Sequence, residues 1–227
     1  MHEVKLYIDG EWRSAGKTAK NTNPANGEVI GSYALGTAED AKAAIAAAKA
    51  ALPAWRAMPA PRRGTLLQKA ADILTRRTDE VARALCAEEG KTLAEAKGEV
   101  QKSINVMEFM AGEGRRLNGE TIPSELPNTF VYTQREPLGV VAAITPWNFP
   151  ICIPAWKIAP ALVAGNTVVF KPASLTPHTA ALLVECFVEA GFPKGVLNLV
   201  TGPGGAVGDT LVAHPDVAAV SFTGSNE

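Results

Sequence analysis

Cysteine and histidine are scarce, with three of each among 227 residues. Cys86, Cys152 and Cys186 form no Cys-x-x-Cys pair and are odd in number. They argue against a disulfide framework and for a reduced, cytoplasmic protein. His2, His178 and His214 are scattered and lack metal-ligand spacing, so no metal site is expected. No apolar run reaches the roughly 18 residues that a membrane span needs. The start, "MHEVKLYIDGEWR", has neither the basic head nor the apolar stretch of a signal peptide. A net charge of -1 gives no basic surface for nucleic acid or an anionic membrane. Repeats are absent, and so is low complexity beyond one alanine-rich stretch.

What is present is ordinary globular composition, 47% hydrophobic and 20% charged. The length suits one large domain, or a domain with a small appendage. Residues 1–36 read as short strands and turns, with a hairpin in "KLYIDGEWR" turning at Asp9-Gly10. From Thr37 the period becomes helical. Thr37 caps an alanine-rich helix with Asp40 three residues on. "APRRGTLLQKAADILTRRTDEVARALCAEEG" is a long amphipathic pattern that breaks near Thr78-Asp79, and a third helical region runs from Thr92 to about Leu117. A β-prone run, Thr129–Gln134, follows among turn formers.

The pattern then becomes regular. Four β-prone runs, Val140–Ile144, Thr167–Phe170, Val196–Val200 and Val217–Phe222, alternate with helical stretches at about Pro154–Ala164, in "TPHTAALLVECFVEAG" and at about Gly205–Ala213. In the second stretch Thr176 is the expected cap, Pro177 the first helical residue and Gly191 the stop. Strands alternating with helices imply right-handed crossovers and a parallel α/β sheet.

Each strand of that sheet ends in an unusual turn, where ligands of open α/β sheets bind. The first ends in "TPWNFP", which holds Asn148 rigidly between two prolines. The second ends in "FKPAS", with Lys171 at the strand end and Ser174 three residues on. Lys171 is either a charge for ribose or phosphate oxygens or a snorkelling surface lysine. The third ends in "TGPGGAVG", whose glycines would let the backbone approach a phosphate, or simply make a turn. The fourth ends in "SFTGS": Phe222, Thr223, Gly224 and Ser225. Together the four ends fit a dinucleotide lying across the sheet edge. A conventional two-domain Rossmann dehydrogenase is disfavoured, because G-x-G-x-x-G and its acidic partner are missing.

These motifs in this order, with "YIDGEW" and "NPANGEVIG" before them, resemble the NAD(P)-dependent aldehyde dehydrogenase superfamily over essentially the whole chain. Members of that family are about twice as long. The resemblance implies a Rossmann-like cofactor-binding domain: strands and helices over 1–118, a β segment of the oligomerisation region over 119–138, and a truncated NAD(P)-binding core over 139–227. It implies that Asn148 donates its amide to an oxyanion; the alternative for Asn148 is a turn-former capping the next helix. It also implies that Ile144, Thr145, Pro146 and Trp147 line the cofactor cleft, and that Lys171 meets the adenosine ribose. Gly204 and Gly208 would flank adenine and pyrophosphate, Ser225 would meet the pyrophosphate at a helix start, and Phe222, Thr223 and Gly224 would be cofactor-binding too. Ser174 stands where a carboxylate would select NAD, so NAD or NADP is expected.

The family's nucleophilic cysteine and general-base glutamate lie beyond "FTGS" and are not in this sequence. Cys86 and Cys186 read as core residues on apolar helical faces, and Cys152 as packing. The chain ends within a motif, which favours an N-terminal fragment over a non-catalytic dinucleotide-binding or assembly module. A small aldehyde substrate and, at full length, a homo-oligomer (dimer or tetramer) are implied. "GEGRRLNGETIPSELPN" and "KPASLTP" are similar to semialdehyde-oxidising members, such as ketoglutarate-semialdehyde or succinate-semialdehyde dehydrogenases.

Overall fold

A computed structural model describes residues 2–225. The expectation of a further helix opening after "FTGS" falls on residues 226 and 227, outside the described residues. The N-terminal region forms β1 (His2–Val4), β2 (Leu6–Ile8), β3 (Glu11–Arg13), β4 (Thr18–Thr22) and β5 (Val29–Ala34). The hairpin expected at Asp9-Gly10 joins β2 to β3, and both turn residues take positive φ, 53° and 82°. That left-handed pair matches the twist of a tight hairpin.

Four helices follow: α1 (Ala38–Ala57), α2 (Ala60–Arg76), α3 (Thr78–Glu89) and α4 (Leu93–Glu113). The Thr37–Asp40 capping box is formed as expected, and Thr92 with Glu95 makes a second one. The long amphipathic stretch breaks at Arg77, one residue before the expected point. Arg63, on the first turn of α2, is buried. It donates Nε–H to Val163 O at 3.0 Å and reaches the carbonyls of Trp55, Arg56 and Met58 through Nη1.

Residues 119–138 contain only a two-stranded ribbon, β6 (Thr121–Ile122) and β7 (Val131–Tyr132), so the expected strand over 129–134 shrinks to two residues. Leu126, Phe130, Tyr132 and Leu138 are exposed along this segment. With no core against them, the apolar side chains here do not extend the pairing.

The main sheet uses β8 (Val140–Ile144), α5 (Cys152–Val163), β9 (Thr167–Lys171), α6 (Pro177–Glu189), β10 (Leu197–Leu199), α7 (Asp209–Ala213) and β11 (Val217–Phe222). Its order is β11-β8-β9-β10-β2-β3. The four strands β8–β11 are parallel, as expected, and β2 adds antiparallel to β10. β8 and β9 are buried along their whole length, which explains their unbroken apolar runs.

Two local expectations are corrected. Thr176 does not cap α6 with its side chain. The buried carboxylate of Glu88, at the end of α3, takes that place. It accepts from His178 N at 2.7 Å and Thr179 N at 2.8 Å, and also binds Thr179 Oγ1 and Asn21 Nδ2. A long-range carboxylate outcompetes a local hydroxyl because it serves several orphan donors at once. The third helical stretch opens as a wide π-type turn over Gly204–Gly208 before α7 begins.

Candidate functional site at the strand ends

Register brings the strand ends into one row. Ile144 pairs with Lys171 across β8 and β9, and Phe222 pairs with Ile144 across β11 and β8. The turns leave the sheet at the same level: Thr145 N donates to Lys171 O at 3.2 Å, and Thr223 N to Ile144 O at 3.1 Å. Ile144, Thr145, Lys171, Phe222 and Thr223, singled out separately in the sequence, are therefore neighbours.

Lys171 is the last residue of β9 and is only 6% exposed, which excludes a snorkelling surface role. Its Nζ donates to Pro172 O at 3.1 Å, and burial pushes its pKa down. A buried ammonium with one carbonyl partner has donors to spare. Its aliphatic stem lies where a Cβ on Gly208 would touch it, so the lysine and the glycine turn pack together. The Ser174 hydroxyl donates to Gly202 O at 3.4 Å, linking "FKPAS" to "TGPGG". A Cβ at Gly204 would meet nothing within 4 Å, so this glycine faces open space. Thr145 Oγ1 is buried without a hydrogen-bond partner. Spare donors and hydroxyls beside open glycines fit the ribose and phosphate oxygens of a dinucleotide. Phe222 is exposed and its ring lies against Gly224, so the "FTGS" turn folds back on the strand it leaves.

Trp147, Asn148 and Phe149 stand beyond β8 and are exposed. They border a hollow of about 710 Å³ whose wall includes Lys91, Glu99 and Lys102 from the segment entering and forming α4, and Cys152 and Trp156 from α5. The capping alternative for Asn148 is overturned. Glu99 Oε1 occupies the α5 terminus, accepting from Ile151 N at 2.9 Å and Cys152 N at 3.1 Å. The Asn148 side chain makes no hydrogen bond to any described residue, and its amide is left to the hollow.

Four charged residues missed in the sequence belong to this region. Lys91 Nζ donates to Glu99 Oε2 at 2.6 Å and to Asn148 O at 2.9 Å, and lies 4.4 Å from the Phe149 ring. Lys157 of α5 donates to Ser221 Oγ of β11 at 3.0 Å, and burial lowers its pKa. Lys102 completes the set. A helix-end glycine, Gly90, immediately before a lysine was the one visible signal. The positions of Glu99, Lys102 and Lys157 on their helix faces carried none.

None of the three cysteines is an activated thiol. Burial raises the pKa of each, Cys186 to about 12. A thiolate nucleophile needs the opposite environment. The histidines, scattered in sequence, are not all apart in space: the His2 and His178 rings stack with centroids 3.6 Å apart. Among the described residues, no group of His, Cys, Asp or Glu is placed to hold a metal ion. No described helix is long and apolar enough to cross a membrane.

The glycine turns, the buried Lys171 and the unpartnered Thr145 hydroxyl lie at the carboxyl ends of a parallel sheet, where open α/β folds bind their ligands. Residues 12–227 match the aldehyde dehydrogenase family, and the chain belongs to that family. It is 50% identical over 224 residues to the alpha-ketoglutaric semialdehyde dehydrogenase of Bacillus subtilis (strain 168), covering 97% of this chain and 46% of that protein. It is 47% identical over 229 residues to the NADP(+) succinate-semialdehyde dehydrogenase GabD of Escherichia coli (strain K12), covering 100% of this chain and 48% of that one. The crystal structure of betaine aldehyde dehydrogenase from Staphylococcus aureus in complex with NAD+ superposes with a TM-score of 0.95 at 41% identity, covering 97% of this chain and 45% of that one. The chain spans about half the length of the curated relatives it matches.

Proposed function

We propose that this chain is the cofactor-binding, N-terminal half of an NAD(P)-dependent aldehyde dehydrogenase whose substrate carries a second, carboxylate end. The observation that carries the reading is the single row of Ile144, Lys171 and Phe222, with the Asn148 amide standing unpaired beyond it. Ile144, Thr145, Pro146 and Trp147 form one wall of the cofactor cleft. Lys171 meets the adenosine ribose, and Ser174 stands beside it with no carboxylate to repel a 2′-phosphate. Gly204 and Gly208 let the chain approach adenine and pyrophosphate, with Thr223, Gly224 and Ser225 at the phosphates. The bound dinucleotide supplies the hydride acceptor. Asn148 donates its amide N–H to the aldehyde oxygen as negative charge develops there, where a fixed donor is most effective. The nucleophile and general base belong to the remainder of a full-length enzyme, since no cysteine here is activated.

The carboxylated substrate is supported by relatives named for semialdehydes and by the charges around the hollow. Glu89, Glu95 and Glu99 each accept a hydrogen bond from the chain around Lys91 and Thr92 or from α5. Lys91 is paired with Glu99. Lys102 has no hydrogen-bond or ion-pair partner among the described residues, and its charge acts on the Cys152 thiol in the same wall. It is the cation free to meet a distal carboxylate.

The ribbon over 119–138, with its exposed Phe130 and Tyr132, is proposed as the arm of a homodimer or homotetramer in the cytoplasm. Light scattering on Phe130→Asp tests the association, with a smaller assembly expected. The function itself is tested by titrating the full-length protein with NADH and NADPH, following nicotinamide fluorescence. Saturable binding, weakened about tenfold by Lys171→Met, is expected, the scale of one charge-assisted contact. Absence of saturable binding, or equal binding by the variant, refutes it. The raised cysteine pKa values favour a non-catalytic binding module if no nucleophile joins this half. An aldehyde-dependent rise in absorbance of reduced nicotinamide excludes that reading.

A further inference from the structure

We infer that Lys91 and Glu99 are positioning residues for Asn148, acting as a clamp between α4 and the "PWNFP" turn. The inference rests on the oxyanion role proposed for Asn148. Within five residues, three backbone atoms are tied to this ion pair. Lys91 Nζ donates to Asn148 O at 2.9 Å, and Glu99 Oε1 accepts from Ile151 N and Cys152 N at 2.9 and 3.1 Å. The pair is closed by the 2.6 Å contact between Lys91 Nζ and Glu99 Oε2. The Glu99 side chain is 1% exposed and that of Lys91 11%. A buried, hydrogen-bonded charge pair of this kind fixes geometry more than it adds stability.

The sequence explains why the clamp reaches its target. Gly90 ends α3 in the left-handed conformation, with φ 95°, and Lys91 N bonds back to Glu89 Oε2 at 3.0 Å. The capping box at Thr92 then starts α4, with Glu99 buried on its inner face two turns on. The Lys91 Nζ lies over the Phe149 ring, 4.4 Å from its centroid, and meets the carbonyl of Asn148. Pro146 and Pro150 limit φ on either side of the turn, and the ion pair anchors what lies between. The Asn148 backbone is thus fixed from below while its amide stays free toward the hollow. A donor aids an oxyanion only if it is held in place before the charge forms, within about half an ångström.

The test is steady-state kinetics of the full-length enzyme with Lys91→Met, Glu99→Gln, Asn148→Ala and the double variant Lys91→Met/Asn148→Ala. Lys91→Met keeps an unbranched side chain of similar length and removes the donor. Its kcat is expected to fall about 10- to 100-fold, the scale of a misplaced catalytic group, while aldehyde KM and cofactor Kd stay within about twofold. In the Asn148→Ala background the same change should cost less than about twofold, because nothing remains to be positioned. Amide hydrogen exchange at Ile151 and Cys152 should quicken in Glu99→Gln. A Lys91→Met enzyme with kcat within about twofold of the parent overturns the inference, as do single effects that multiply fully in the double variant. If Glu99→Gln fails to fold, Lys91→Met still decides the matter. If the parent oxidises no aldehyde, the oxyanion reading fails on its own account, and exchange at 151 and 152 still reports whether the clamp holds the turn.

Discussion

Acid should loosen the attachment of β1 to α6 through one histidine. His178 stacks on His2 at 3.6 Å with 13° between the rings. Burial is the main cause of a pKa lowered from 6.5 to about 4; the His2 ring adds to it, Glu80 opposes it and Arg77 adds a little. His2, on β1, is shifted down too, by burial. Glu88 accepts from the His178 backbone N–H, not from the ring. Because the folded pKa is depressed, the unfolded chain binds the proton first, and stability falls as pH drops from 6.5 towards 4. The gap between 6.5 and about 4, at about 1.4 kcal/mol per pH unit, corresponds to roughly 3 kcal/mol. Partial exposure of the ring screens this to about 2 kcal/mol. The assay is urea unfolding of wild type and His178→Gln at pH 7 and pH 4.5. Other groups also titrate, so the quantity read is the difference between the two proteins' losses. Wild type should lose about 2 kcal/mol more than the variant over that interval. Equal losses would show that the stacked imidazole is not held neutral by the fold.

Four further outcomes are expected. Asn148→Ala in the full-length enzyme should lower kcat by about 10²-fold or more, the scale for one oxyanion donor, with cofactor affinity nearly unchanged; a near-normal kcat removes Asn148 from the mechanism. Ser174→Glu should weaken NADP selectively by repelling the 2′-phosphate, read by competitive titration of both cofactors; a wild type that already excludes NADP contradicts the argument. Lys102→Met should raise KM for an aldehyde with a distal carboxylate about tenfold and leave a neutral aldehyde of equal length unchanged, as loss of one charged contact requires. The 227-residue chain alone should oxidise no aldehyde, because burial disfavours every thiolate in it; turnover abolished by Cys152→Ser would make Cys152 a nucleophile.

The parallel core was legible because its signals are local. Val140–Ile144 and Val217–Phe222 are continuous β-prone runs bounded by breakers, and the structure forms both strands over those residues. The Asp9-Gly10 hairpin and the Thr37–Asp40 box were legible for the same reason: each is complete within a few residues. What escaped were partnerships across the chain. Nothing near Thr176 announces that Glu88, 90 residues away from His178, will cap α6. Nothing near Asn148 announces Glu99 or Lys91, since a mid-helix glutamate reads as a solvated face until the helix is docked. The pairing of β2 with β10 was equally invisible, because a three-residue strand carries no address. At the candidate site, the residues that the structure lines up along the strand ends were singled out from their turns. Those holding the turns came from the helical layer and were missed.

Arg63 gives the molecule a different kind of vulnerability. The last carbonyls of α1 and α5 converge on one guanidinium, which also lies against Gly165 at the start of the turn into β9. The carbonyls at a helix C-terminus carry partial negative charge, so this planar cation serves both ends at once. An ammonium on a single stem cannot address carbonyls on both sides at once. Position 63 should therefore reject lysine almost as firmly as alanine, even though it lies far from the strand-end row, and the α1–α5 junction depends on the shape of this guanidinium as well as on the buried Trp55, whose indole N–H donates to Leu162 O.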